Sequence, residues 1–164
     1  MHAARIFNHS STKSVPGRHG RVLALLTLIF SLRVSGQAIV EFLSVDWLPS
    51  SEAWASGLLP YSILLAIQLV MLIGMVKIVT DVWRQSGFFA TLANSWSRFL
   101  IGCSAVYAAS MAARYVLTMI FQPDMRWLGG TIPIFFHFVL AAFLYTWGKF
   151  LARQAIFARP DSAC

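Results

Sequence analysis

The sequence has few charged residues for its length. Only 12% of its 164 residues are Asp, Glu, Lys or Arg, whereas an ordinary soluble domain carries about 25%. Hydrophobic residues make up 58% of the chain. This composition excludes an ordinary soluble domain and indicates an integral membrane protein.

Cysteine is also scarce, and no Cys-x-x-Cys motif is present. The missing motif argues against a thiol–disulfide oxidoreductase of the membrane type. The two cysteines, Cys103 and Cys164, are both predicted to lie toward the cytoplasm, so we expect no structural disulfide. Cys164 is the last residue, whereas a prenylation box needs its cysteine four residues from the end.

The apolar stretches contain too few residues of the kinds that bind a metal ion. His137 is the only histidine within an apolar stretch, so a b-type haem would need a second axial histidine from another chain. A zinc site would likewise need more ligands than this chain offers near His137. P-loop, dinucleotide-binding and Ser-His-Asp patterns are absent. The sequence thus predicts no metal site and no catalytic residue, favours a protein that is not an enzyme, and leaves any cofactor unidentified.

Four apolar stretches fill most of the chain, and each reaches the length of about 20 residues that a membrane-spanning helix needs. They cover residues 21–43, 57–79, 98–121 and 131–151. They predict an all-α, multi-pass transmembrane four-helix bundle in one domain. Residues 1–20 and 152–164 are predicted to be tails.

The basic excess predicts the orientation of the bundle. The chain has 13 Lys and Arg against 6 Asp and Glu, which in a soluble protein would suggest nucleic-acid binding. Here the basic residues flank the spans, and the connection 44–56 has acidic residues but no basic one. The positive-inside rule then predicts cytoplasmic termini and no nucleic-acid partner. The short connections favour a cell (inner) membrane of the bacterial type, and the aromatic connection 80–97 favours an interfacial segment.

Ionisable side chains lie inside three of the four spans. They are Arg33 and Glu41 in the first, Arg114 in the third and His137 in the fourth. A charged side chain in hydrocarbon is costly, so it normally pairs, faces the bundle interior and marks a functional site.

Helical spacing and depth bring these residues toward each other. Arg33, Gln37 and Glu41 share one face of the first span because they are four residues apart. At about 1.5 Å of rise per residue, the polar residues of all four spans fall at the midplane or in the outer half of the bilayer. We therefore predict a ligand-binding cluster there, made of Arg33, Gln37, Glu41, Tyr61, Gln68, Tyr107, Arg114 and His137.

Two pairings inside this cluster remain open. Glu41 can pair with Arg114, which would offset the desolvation of two buried ions. Alternatively, Glu41 bonds back toward Gln37 while Arg114 faces His137. Arg33 has no carboxylate at its own depth, so in a water-accessible pocket it would bind an anionic or carbonyl-bearing ligand. The simpler interpretation is that these residues only join helices, at about 0.6 kcal/mol per hydrogen bond.

Small residues repeat every four positions along the third span, at Ala105, Ala109 and Ala113 and again at Ser104, Ala108 and Ala112. Small side chains at this spacing allow helix backbones to approach closely. We therefore expect the third span to lie at the centre of the bundle.

The first span contains Arg33-Val34-Ser35-Gly36. Together with four spans of this length, the pattern resembles small four-helix proteins of the DoxX-like kind. Some of those proteins are associated with quinone-linked redox chemistry, so the resemblance implies a quinone as a candidate ligand.

Three functions are compatible with these features. The leading one is a non-catalytic membrane module that binds a lipid-like ligand or docks on a larger membrane complex through the polar cluster. The second is a quinone-linked membrane oxidoreductase subunit. The third is a small proton-coupled transporter in which Glu41 and His137 relay protons. The candidate partners are accordingly the lipid bilayer, a lipid or quinone, other membrane subunits or a second copy of the chain.

Overall fold

A computed structural model describes residues 17–43, 61–92, 94–121 and 131–157. Within these ranges the secondary structure is helical, with no strand. The four helices are α1 (Gly17–Leu43), α2 (Tyr61–Arg84), α3 (Asn94–Phe121) and α4 (Thr131–Phe157). Each is long and apolar enough to cross a membrane. The predicted all-α, four-span fold is therefore confirmed.

The helices are longer than the apolar stretches on which they were predicted. The first begins at Gly17, and the fourth continues to Phe157. The second continues to Arg84 and the third begins at Asn94. Of the stretch 80–97, residues 80–84 belong to α2 and residues 94–97 to α3. The expected interfacial segment is thereby limited to residues 85–93, where it stays a prediction.

The helices lie in the order α2, α1, α4, α3. The central pair α1 and α4 contact each other, α2 contacts α1, and α3 contacts α4. Within the described residues the backbones of α2 and α3 do not contact each other. The expectation that the third span is central is therefore wrong, and Ala105, Ala109 and Ala113 are exposed.

The residue that permits close packing of α3 lies in α4. A Cβ atom added at Gly148 would lie 3.1 Å from the backbone oxygen of Ser97 and 2.9 Å from a side-chain carbon of Ile101. Glycine at this position therefore lets α4 approach the α3 backbone. Of the two small-residue repeats of α3, Ala105, Ala109 and Ala113 are exposed, whereas Ser104 of the other repeat is buried.

The apolar core lies along α1 and α4, toward the end of the bundle that carries the α2–α3 connection. It includes Leu23 and Phe30 of α1, Val82 of α2, and Phe143 and Leu151 of α4. All five side chains are at most 2% exposed.

The α2–α3 connection folds around the carboxylate of Asp81, which is 2% exposed. Lys77 Nζ lies 2.5 Å from Asp81 Oδ1, and the Phe89 amide donates to Asp81 Oδ2 at 3.3 Å. Gly87 has a φ of 103°, which brings the chain back against this carboxylate. The indole nitrogen of Trp147 donates to the Phe89 carbonyl at 3.0 Å. The connection thus attaches the end of α2 to α4.

Replacing Gly87 with alanine should destabilise the protein. Its φ of 103° disfavours a side chain, and the new Cβ would lie 2.6–2.7 Å from the Asp81 carboxyl atoms. We expect a loss of about 1–3 kcal/mol in the free energy of unfolding, measured by reversible denaturation in detergent micelles.

Gly74→Ala is the matched control. A Cβ at Gly74 would meet no atom within 4 Å, so this change should leave stability unchanged or raise it by up to about 1 kcal/mol. Equal effects of the two substitutions would contradict the structural role of the turn.

Candidate functional site

A buried polar cluster joins α1 to α2. Gln37 Oε1 accepts one hydrogen bond from Arg33 Nη1 and another from Gln68 Nε2, both at 3.2 Å. All three residues are buried: Arg33 is 7% exposed, Gln37 1% and Gln68 5%. The Arg33 guanidinium also lies over the Phe136 ring of α4, with its carbon 5.0 Å from the ring centroid, a cation–π contact. These contacts connect three helices.

A second polar pair joins α3 to α4. The Tyr107 hydroxyl and His137 Nδ1 share a hydrogen bond at 2.5 Å, and the two rings are nearly perpendicular. Arg33 of α1 lies over the ring of Phe136, the residue that precedes His137 in α4. Polar residues of α1, α3 and α4 therefore lie in one region of the bundle.

The predicted cluster is thus assembled in part. Arg33, Gln37 and Gln68 form one hydrogen-bonded group, and Tyr107 and His137 form another. Arg114 is half-buried, and both predicted pairings of this residue stay predictions. Within the described side chains Arg114 forms no salt bridge.

The other two predicted residues, Glu41 and Tyr61, have side chains outside the described set. The Glu41–Arg114 pair therefore stays a prediction, as does the ligand-binding role of the whole cluster.

The environment of Arg33 differs from the expected water-accessible pocket. Gln37, one turn further along α1, presents its carbonyl oxygen to the guanidinium, while the Phe136 ring covers it. Arg33 is consequently buried, and neither of the two cavities described below is lined by it. Gln37 thus provides a neutral amide acceptor for Arg33, and the binding of a ligand by Arg33 stays a prediction.

A cleft of about 850 Å³ separates α2 from α3. Its size is within the range of about 300–1,000 Å³ that is usual for ligand pockets. Apolar side chains of α2, α3 and α4 form most of its surface, among them Met71, Met75, Ile78, Phe99, Val106 and Phe143. The polar exceptions are Arg98 at one end and Tyr107 and Ser110 at the other. A second cavity of about 530 Å³ lies between α1 and α2.

Glycines on both walls widen the cleft. Gly74 of α2 and Gly102 of α3 line it, and a Cβ added at either would meet no atom within 4 Å. A glycine inside a helix costs about 1 kcal/mol relative to alanine. Close neighbours leave no room for a side chain at Gly20 and Gly148. Gly74 and Gly102 have no such neighbours, and their effect is to leave space in the cleft. The apolar pattern of the helices does not predict the cleft, and these two glycines are its only trace in the sequence.

Comparison with protein-family models, curated proteins and solved structures gives no match for this chain. The resemblance to DoxX-like proteins therefore stays a prediction. Among the described residues, no three His, Cys, Asp or Glu side chains are grouped as a metal site would require. The geometry of the cleft and of the two polar groups is what remains as evidence for function.

Replacing Gln37 with leucine should destabilise the bundle. The substitution removes the acceptor that Arg33 and Gln68 share in a buried position. Loss of such an acceptor costs about 1–3 kcal/mol, which reversible unfolding in mixed micelles will measure.

Thr146→Val is the control, because the Thr146 hydroxyl is exposed and bonds only to the Ala142 carbonyl of its own helix. We expect little change in this variant. A Gln37→Leu protein as stable as Thr146→Val would contradict the joining role of Gln37.

Proposed function

We propose that this small integral membrane protein is a non-catalytic module that holds a lipid-like molecule in the cleft between α2 and α3. One observation carries the proposal: two membrane-spanning helices stand apart and leave an apolar cleft of ligand size between them. Gly74 and Gly102 enlarge that space at a cost to helix stability. The proposed setting is the cell (inner) membrane, with both termini in the cytoplasm.

The two polar groups take different parts in this function. Arg33, Gln37 and Gln68 are buried and hydrogen-bonded to each other, which suits a joining role. Tyr107 lines the cleft while its hydroxyl contacts His137. A ligand in the cleft would therefore meet the polar cluster through Tyr107, and Ser110 offers a second hydroxyl beside it.

The second candidate is a quinone-linked oxidoreductase subunit, and the Tyr107–His137 pair favours it. Tyr107 lines the apolar cleft, and its hydroxyl can donate a hydrogen bond to a quinone carbonyl while it accepts one from His137. The pair could in this way move a proton toward the quinone. A proton-coupled transporter, the third function considered from the sequence, would require Glu41 as a relay. The Glu41 side chain lies outside the described set, so this function stays a prediction.

Filling the cleft should expel its occupant. In the double variant Gly74→Phe/Gly102→Phe, two aromatic rings would enter open space rather than displace protein atoms. We expect the protein purified from membranes to retain at least severalfold less of one enriched lipid species, measured by mass spectrometry of the extracted lipids.

Ala112→Phe is the matched control, since Ala112 is exposed on α3 and does not line the cleft. It should retain the lipid as the unchanged protein does. Equal lipid content in all three proteins would contradict the proposal, and a quinone as the enriched species would favour the oxidoreductase.

A further inference from the structure

We infer that the occupant of the cleft is an anionic phospholipid from the leaflet on the side of the α2–α3 connection. Its phosphate would lie at Arg98, and one acyl chain would follow the cleft toward Tyr107 and Ser110. This inference rests on the proposed function and specifies the class of ligand and its direction.

Exposed aromatic side chains indicate the level of the membrane surface at this end of the bundle. Trp83 is 57% exposed, Phe88 70%, Trp96 48% and Phe99 59%. Tryptophan is enriched where membrane proteins cross the headgroup region. Arg98 lies between Trp96 and Phe99 on the same helical turn, so its guanidinium is at headgroup depth.

Arg98 is also an uncompensated positive charge. It is exposed and makes no hydrogen bond or ion pair within the described residues. By contrast, Lys77 pairs with Asp81 and Arg33 bonds to Gln37. No acidic side chain lines the cleft. The entrance is therefore complementary to a phosphodiester, which a guanidinium binds through charge-assisted hydrogen bonds.

The length of the cleft matches one lipid chain. Residues 98 and 110 at its two ends are twelve positions apart, which is about 18 Å along a helix. One leaflet contributes about 15 Å to a hydrocarbon core of about 30 Å. An acyl chain anchored at Arg98 would thus end near Ser110.

Photo-crosslinking in lipid nanodiscs tests the inference. Two probes would carry the same diazirine-labelled acyl chain, one on phosphatidylglycerol and one on phosphatidylcholine. We expect crosslinks at residues 71–78 and 99–110, and about fivefold more with phosphatidylglycerol, because one arginine near an anionic surface contributes about 1 kcal/mol.

Matched charge variants identify the residue responsible. Arg98→Gln should abolish the preference for phosphatidylglycerol, and Arg98→Lys should keep most of it. Arg153→Gln removes the same charge from an exposed site on α4 outside the cleft, and it should leave the preference unchanged. Circular dichroism would establish that each variant remains helical.

The crosslinking results distinguish a failure of this inference from a failure of the proposed function. Cleft crosslinks of equal strength with both probes would overturn the anionic lipid and leave the proposed function standing. A preference lost equally in Arg98→Gln and Arg153→Gln would overturn the role of Arg98. Crosslinks that avoid both cleft segments would overturn the inference and the proposed function together.

Discussion

The attachment of α2 and α3 to opposite sides of the α1–α4 pair is the constraint on which the cleft depends. In a bilayer the hydrophobic effect does not drive helices together, so close packing and interhelical hydrogen bonds decide which helices meet. Gln68 and the connection around Asp81 attach α2 to α1 and α4. The close approach at Gly148 and the Tyr107–His137 hydrogen bond attach α3 to α4.

Because no described contact draws α2 and α3 together, the space between them is available to a membrane component. The connection after α2 limits how far the two helices can separate at one end, since Trp147 fixes Phe89 against α4. Arg98 follows just beyond this fixed point and lines the cleft. Arg98 thus places a positive charge at one end of an apolar cleft. An amphiphilic lipid, with a charged headgroup and an apolar chain, fits this arrangement.

The sequence alone predicted the four helices, because a span of about 20 apolar residues has few other possible structures. Helical rise converts position into depth, so the sequence also placed Arg33 and Gln68 near the midplane and Gln37 about 6–8 Å toward the outside. The sequence did not show which neighbouring helix each helix face would contact. The alanines of α3 and the single Gly148 of α4 are equally suited to close packing, and only the tertiary structure shows that Gly148 is used. A cleft is an absence of contact, which no local pattern encodes.

The proposed lipid chain requires that α2 and α3 stand apart in the membrane. An electron cryo-microscopy structure of the protein in nanodiscs made from its native membrane lipids would show this arrangement. We expect an elongated density between Gly74 and Gly102 that ends in a headgroup at Arg98. Direct packing of α2 against α3, with no room for a chain, would contradict it.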